Sequence, residues 1–154
     1  MQSLRAQDAA ALLQLLDEQA ALFENWLEID QRKRRALIER DRAQIEATVV
    51  EQSNILLKLE AAEQKRLEVM HDRLRVSARM TLRELTGFLP AELRDRWIQT
   101  ADRLQELVVR VQESNALSDT LLRQALAHNQ VLLDAMLGKQ SVATTYSASG
   151  TAPA

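Results

Sequence analysis

The first 86 residues contain neither glycine nor proline, and this absence constrains the fold more than any other feature of the sequence. Without these residues nothing local forces a turn, and the abundance of Leu, Ala, Gln, Glu and Arg favours helix. Breakers return at Gly87, Pro90 and Gly138. A helix from Pro90 to Leu137 would be roughly 70 Å long at about 1.5 Å per residue. We therefore predict an all-α, elongated antiparallel hairpin or bundle of three to four long helices with coiled-coil-like packing.

Local signals divide the chain into these helices. Apolar residues at spacings of three and four predict a first helix over Ser3–Glu39, with its first residue as a candidate N-cap. The segment Asp41–Gln44 is a variant of the capping box and predicts the turn, although one continuous helix through it is the alternative. The second apolar stripe runs over Ile45–Leu74. Gly87 is expected to end a helix in the left-handed conformation, and Pro90 to begin the last one.

The last helix has the most regular pattern, with apolar and small residues alternating by four and three as in a coiled-coil seam. The seam positions are Trp97, Ala101, Leu104, Val108, Val111, Asn115, Ser118, Leu122, Ala125, Asn129, Leu132 and Met136. After Gly138 the sequence consists mainly of small and polar residues, which bury too little surface to offset the entropy of ordering. We therefore expect a helical domain over residues 1–138 and a disordered tail over residues 139–154.

Composition argues against several classes of function. The chain has no cysteine, and its net charge of −2 arises from 20 basic and 22 acidic side chains. Such a balance does not suit a protein that binds nucleic acid by neutralising phosphates, and no apolar run approaches the length of a membrane span. No phosphate loop or nucleophile motif is present. We therefore expect a cytoplasmic protein without enzymatic activity, cofactor, nucleic-acid partner or membrane insertion.

Two motifs have both a functional and a structural interpretation. Glu68-Val-Met-His71 is half of a helical di-iron motif, but Ala125 replaces the required Glu three residues before His128, so we expect no metal site. The basic run Arg32–Arg35 suits an acidic partner. Its acidic neighbours, Asp30 among them, favour instead a solvated helix face.

The two asparagines of the seam leave two interpretations open. Buried asparagines can fix the register between the chain's own helices, or this half of the helix has no permanent partner within the chain. Additional leucines widen the apolar stripe here and favour the second, because each such side chain left in water forgoes roughly 1.5–3 kcal/mol. The candidate protein-binding residues are Asn115, Leu121, Leu122, Leu126, Asn129, Leu133, Met136 and Leu137. Tyr146 is either a stray aromatic residue or the anchor of a short binding motif.

Several motifs, in this order, resemble those of the FlgN family of flagellar type III export chaperones. The helical segments that carry the resemblance are Leu37–Asp41, Glu51–Leu57, Leu59–Arg66, Leu104–Val108 and Asn115–Leu122. The segment Thr145-Tyr-Ser-Ala-Ser-Gly150 resembles the Thr-Tyr-x-x-x-Gly signature that follows the last helix in that family.

The resemblance implies a cytoplasmic chaperone of the hook–filament junction proteins FlgK and FlgL. Such a chaperone holds the C-terminal helix of its client and delivers it to the export gate protein FlhA. By this analogy the leucine-rich band would hold the client and Tyr146 would dock at the gate. The alternative is a structural coiled-coil scaffold that forms a stable oligomer, and self-association through the band is compatible with either function.

Overall fold

The computed structural model describes residues 5–73, 75 and 81–137, and these residues are almost entirely helical. The elements are α1 (Ala6–Glu39), α2 (Arg42–Glu68) with a π-helical turn at Val69–Arg73, α3 (Leu82–Leu85) with a 3-10 turn at Thr86–Phe88, and α4 (Ala91–Leu137). Within these described ranges there is no strand. The all-α fold expected from the sequence, with long helices packed against each other, is confirmed.

The turn between α1 and α2 lies at the predicted position. Arg40 adopts the left-handed conformation with a φ of 57°, and the amide of Asp41 donates to the carbonyl of Ala36 at 2.9 Å. The Asp41 carboxylate then accepts a hydrogen bond from the amide of Gln44 at 3.1 Å and caps α2. At the other end α1 begins at Ala6, because Arg5 is extended with a ψ of 138°. The candidate N-cap Ser3 lies outside the described residues.

The region before α4 is only partly as predicted. A reciprocal capping box begins α3: the amide of Glu84 donates to Oγ1 of Thr81 at 3.1 Å, and the amide of Thr81 donates to Oε2 of Glu84 at 2.9 Å. The expectation of a left-handed Gly87 is wrong, since this residue lies within the 3-10 turn. Leu89 is extended and separates that turn from Pro90, which directly precedes α4 as expected.

Helix α1 lies between the other two long helices. It runs antiparallel to α2, as contacts of Gln19 with Glu63 and of Lys33 with Gln52 indicate. It runs parallel to α4, since Asp17 contacts Thr100 and Asp30 contacts Ser118. This register places the end of α1 about level with Leu122. Roughly the last 15 residues of α4 therefore continue past the hairpin, over about 22 Å.

The apolar core is concentrated at the end of the molecule away from the α1–α2 turn. Its buried members are Ala9, Leu12, Leu13, Leu16, Ala20, Met70, Leu85, Leu89, Trp97, Leu104 and Leu107. Trp97 is fully buried, and its indole N–H donates to the carbonyl of Leu82 at 2.8 Å. This core joins α1, α3, α4 and the π-helical turn after α2 at one end of the bundle.

The buried face of α4 departs from the predicted seam. Leu107 and Ser114 are buried, whereas Val108 and Asn115, which the alternation by four and three placed on the seam, are exposed. Leu107 and Ser114 are seven residues apart, as are Val108 and Asn115, so the seven-residue spacing holds. Along this part of α4 the face that contacts α1 uses the residue one position before each of these two predicted ones.

Candidate protein-binding site

A buried carboxylate joins the three long helices near the turn. Asp30 of α1 is fully buried and accepts hydrogen bonds from Gln52 of α2 at 3.2 Å and from Ser118 of α4 at 2.9 Å. The hydroxyl of Ser114 also donates to it. Its charge is balanced within its own helix by Arg34 at 2.9 Å and by Lys33 at 3.2 Å. We call these six residues the Asp30 cluster.

Two opposing effects act on the pKa of Asp30. Burial raises it, because a charge is poorly solvated away from water. Hydrogen bonds from Ser114, Ser118 and Gln52, together with the positive charge of Lys33, lower it further than burial raises it. The net pKa lies below the ordinary value of 3.8, so Asp30 is ionised at neutral pH.

The Asp30 cluster corrects the interpretation of the basic run as a solvated face. Arg32 and Arg35 are exposed, but Lys33 and Arg34 expose only 21% and 18% of their side chains. The helical period explains the difference, because residues 30, 33 and 34 lie on one face of α1 and that face meets α2 and α4. Half of the basic run therefore stabilises the helix junction.

An open groove lies beside the Asp30 cluster. In the described part of the chain, no Cα atom of α2 comes within 8 Å of one of α4. The resulting cavity of about 350 Å³ is lined by Lys33, Leu37, Ile45, Val49, Asn115, Ser118, Asp119 and Leu122. All three long helices contribute to this surface, which we call the open groove.

The structure brings two of the eight candidate residues of α4 together in the open groove, Asn115 and Leu122. Asn115 is exposed, and its Oδ1 accepts a hydrogen bond from the indole N–H of Trp26 at 2.9 Å. It is therefore not a buried register residue, although it does contact α1. Leu122 exposes 43% of its surface, and Leu121 beside it is half-buried.

The remaining candidates lie towards the end of α4. Leu126 and Met136 are exposed to 60% and 83%. Asn129, Leu133 and Leu137 are part of the helix, but their side chains lie outside the described residues, as do Tyr146 and the whole tail predicted over residues 139–154.

Sequence reasoning missed the α2 side of the groove. It placed Ile45 and Val49 on the packed stripe of the second helix, but Val49 is 49% exposed and lines the open groove. The neighbouring Val50 is also exposed. The signal was present in the sequence, because two adjacent valines lie about 100° apart around a helix and do not both face one partner.

Other kinds of site receive no support from the described residues. Within residues 5–73, 75 and 81–137, no group of three or more His, Asp or Glu side chains is placed to hold a metal ion. Over the same ranges, no helix combines the length and the apolar character needed to cross a membrane. His71 of the half-motif is exposed and contacts Asp72 at 2.8 Å.

The comparison with protein families agrees with this architecture of exposed helix faces. The model of the FlgN protein family matches residues 1–154, the whole chain. The chain belongs to the FlgN family. FlgN proteins are flagellar export chaperones, a class defined by binding other proteins and not by catalysis. No curated protein and no solved structure matches this FlgN-family chain.

Proposed function

We propose that this FlgN-family chain is a cytoplasmic export chaperone that binds the C-terminal helical segment of the hook–filament junction proteins FlgK and FlgL. Binding hides the segment and keeps the client unassembled until it reaches the export gate protein FlhA. The observation that carries this proposal is the exposure of Leu122, Leu126 and Met136 along the part of α4 that reaches and passes the end of the hairpin.

The mechanism requires only reversible burial of apolar surface. A client helix destined for a coiled-coil assembly has an apolar stripe, and an exposed helix face of the chaperone covers that stripe until it is exchanged for the final partner. Since the chaperone binds the client before assembly, it shifts the equilibrium by mass action and needs no nucleotide or cofactor.

The three exposed side chains are not sufficient by themselves. Complete burial of such a side chain supplies roughly 1.5–3 kcal/mol, so burying what is still exposed of all three supplies roughly 3–6 kcal/mol. Association costs an estimated 4–15 kcal/mol, and micromolar affinity needs about 8 kcal/mol net. The client must therefore contact a larger surface than Leu122, Leu126 and Met136 alone.

Size-exclusion chromatography with light scattering tests the function. The purified full chain is run alone, with purified FlgK from the same organism, and with FlgK lacking its C-terminal segment. We expect a complex only with intact FlgK. A stable oligomer of the chain alone that does not change on mixing would favour the structural scaffold and contradict the chaperone function.

Delivery to the gate is assigned to Tyr146, on the resemblance of residues 145–150 to the family signature. We expect Tyr146→Ala to leave FlgK affinity unchanged and to lower secretion of FlgK into the medium, because the tail residue acts after client binding. Tyr146→Phe is the matched control, because it keeps the aromatic ring and removes only the hydroxyl group. Normal secretion by the alanine variant would return Tyr146 to an incidental aromatic residue.

A further inference from the structure

The open groove lies between α2 and α4, at a position where a further helix could pack. Helix α1 contacts both α2 and α4, while these two helices stay apart over the described residues. Packed helices lie 8–10 Å from each other, so a helix placed between α2 and α4, over Lys33 and Leu37 of α1, would contact all three. The arrangement is that of a four-helix bundle from which one helix has been left out.

The charges along the groove determine what kind of surface fits it. Only two of its lining residues are charged, and both are balanced by this chain's own residues. Lys33 is paired with Asp30 at 3.2 Å, and Asp119 is paired with Arg123 at 3.0 Å. The groove therefore offers no free charge to an acidic or basic segment, and it favours an occupant whose buried face is uncharged.

Apolar residues from each helix make up the centre of the groove. Leu37 lies on α1, Ile45 and Val49 on α2, and Leu122 on α4. One turn beyond Leu122, the exposed Leu126 lies on the same side of α4, so the groove is continuous with the face of α4 that continues past the hairpin. A single straight helix can contact the groove and this face together.

We propose that the client segment binds in the open groove as one amphipathic helix, with α2 as the second wall of the site, and so completes a four-helix bundle. This inference rests on the proposed chaperone function and adds to it the side of the site that lies outside α4. Binding in the groove also adds contact surface to that of Leu122, Leu126 and Met136, which is insufficient alone.

Two adjacent valines of α2 provide a matched pair for the test. Val49 lines the groove, whereas Val50 is exposed but does not line it. Both lie inside the same helix and both expose about half of their surface, at 49% and 60%. An aspartate at either position has the same intrinsic effect on helix formation. Only at position 49 would its charge be buried by a helix in the groove.

The experiment measures binding of a fluorescein-labelled synthetic peptide with the sequence of the C-terminal segment of FlgK. Fluorescence anisotropy is recorded with the full chain and with its V49D, V50D and L126D variants, each checked for helicity by circular dichroism. We expect Val49→Asp to weaken binding at least about tenfold, because a buried unpaired charge is costly. Val50→Asp should remain within about threefold of the unchanged chain, which is less than 1 kcal/mol.

The outcomes separate this inference from the function on which it rests. If Leu126→Asp weakens peptide binding while V49D and V50D have equal, small effects, the client does not bind in the groove, but the chaperone function stands. Absence of binding by the unchanged chain would overturn both. Light scattering of the chain alone provides a further check. A dimer mass that returns to the monomer mass in V49D would show that a second copy of the chain occupies the groove, which also contradicts the inference.

Discussion

Asp30 joins the three long helices near the turn, beside the buried apolar side chains of Ile29, Ala36, Leu37 and Ile55. At the end of the bundle with the turn, this buried carboxylate connects α2 through Gln52 and α4 through Ser114 and Ser118. A buried charge is tolerated only when it is paired and hydrogen-bonded, and the Asp30 cluster meets both conditions. Because hydrogen bonds depend on direction more than apolar contacts do, the cluster also fixes how the three helices are aligned.

We expect Asp30→Asn to lower the free energy of unfolding by about 3 kcal/mol, because Lys33 and Arg34 then lose their shared partner inside the protein. The value is at the low end for a buried pair since both cations keep some contact with water. Urea denaturation followed by circular dichroism measures it. Glu51→Gln, which breaks the exposed pair with Arg32, is the control and should cost less than about 1 kcal/mol. Equal effects of the two variants would contradict the role of the Asp30 cluster.

The pH dependence of the unfolding free energy gives a second test of the role of Asp30. Its pKa is lower in the folded than in the unfolded chain, so ionised Asp30 stabilises the fold fully above the unfolded value, near 3.8. This contribution is lost as the pH falls through the lower folded pKa. We therefore expect the difference in unfolding free energy between the unchanged chain and Asp30→Asn to narrow below about pH 4. A difference that stays constant from pH 7 to pH 3 would contradict the lowered pKa.

At the residue scale, local signals were predictable and distant partners were not. The cap at Asp41 is predictable because its partner Gln44 is three residues away. The burial of Asp30 is not predictable, because its partners Ser114 and Ser118 are more than 80 residues away in the sequence. An acidic residue beside a basic run is typical of a solvent-exposed helix face. The capping box of Thr81 and Glu84 is a local signal of the same kind, because its two residues are three positions apart.

Helix α4 combines two different functions along its length. Its N-terminal half supplies Trp97, Leu104 and Leu107 to the apolar core. Its C-terminal half contacts α1 through Ser114 and Ser118 and then continues past the hairpin with Leu126 and Met136 exposed. Periodicity predicted the helix and its length. It placed Val108 and Asn115 on the buried face, whereas the residues one position earlier, Leu107 and Ser114, are the buried ones.

We expect the double variant Leu122→Asp and Leu126→Asp to weaken FlgK binding by at least about tenfold while keeping the helicity of the chain, because both side chains are already exposed. Isothermal titration calorimetry measures the affinity, and circular dichroism at 222 nm measures the helicity. The matched control is Leu117→Asp, an exposed leucine of the same helix that does not line the open groove. Loss of helicity in the double variant would mean that these leucines belong to the chain's own core.

At the scale of the whole molecule, the two ends of the bundle differ in what holds them together. One end has the apolar core, and the other has the Asp30 cluster, the open groove and the part of α4 that continues past the hairpin. The sequence predicted three to four long helices and a turn. It did not predict that α1 would lie between two helices whose described Cα atoms stay more than 8 Å apart. That arrangement depends on which helix faces pack against each other, and the apolar pattern of one helix does not specify which helix it contacts.

Hydrogen–deuterium exchange of the full chain, with and without purified FlgK, tests most directly whether the client binds at the end with the groove. We predict slower exchange on client binding in residues 42–57 of α2 and 112–126 of α4, because a helix in the groove stabilises both. Exchange in residues 6–16 of α1 and 91–104 of α4, at the apolar core, should not change. Protection confined to the apolar-core end, or protection of α4 without α2, would contradict client binding in the open groove.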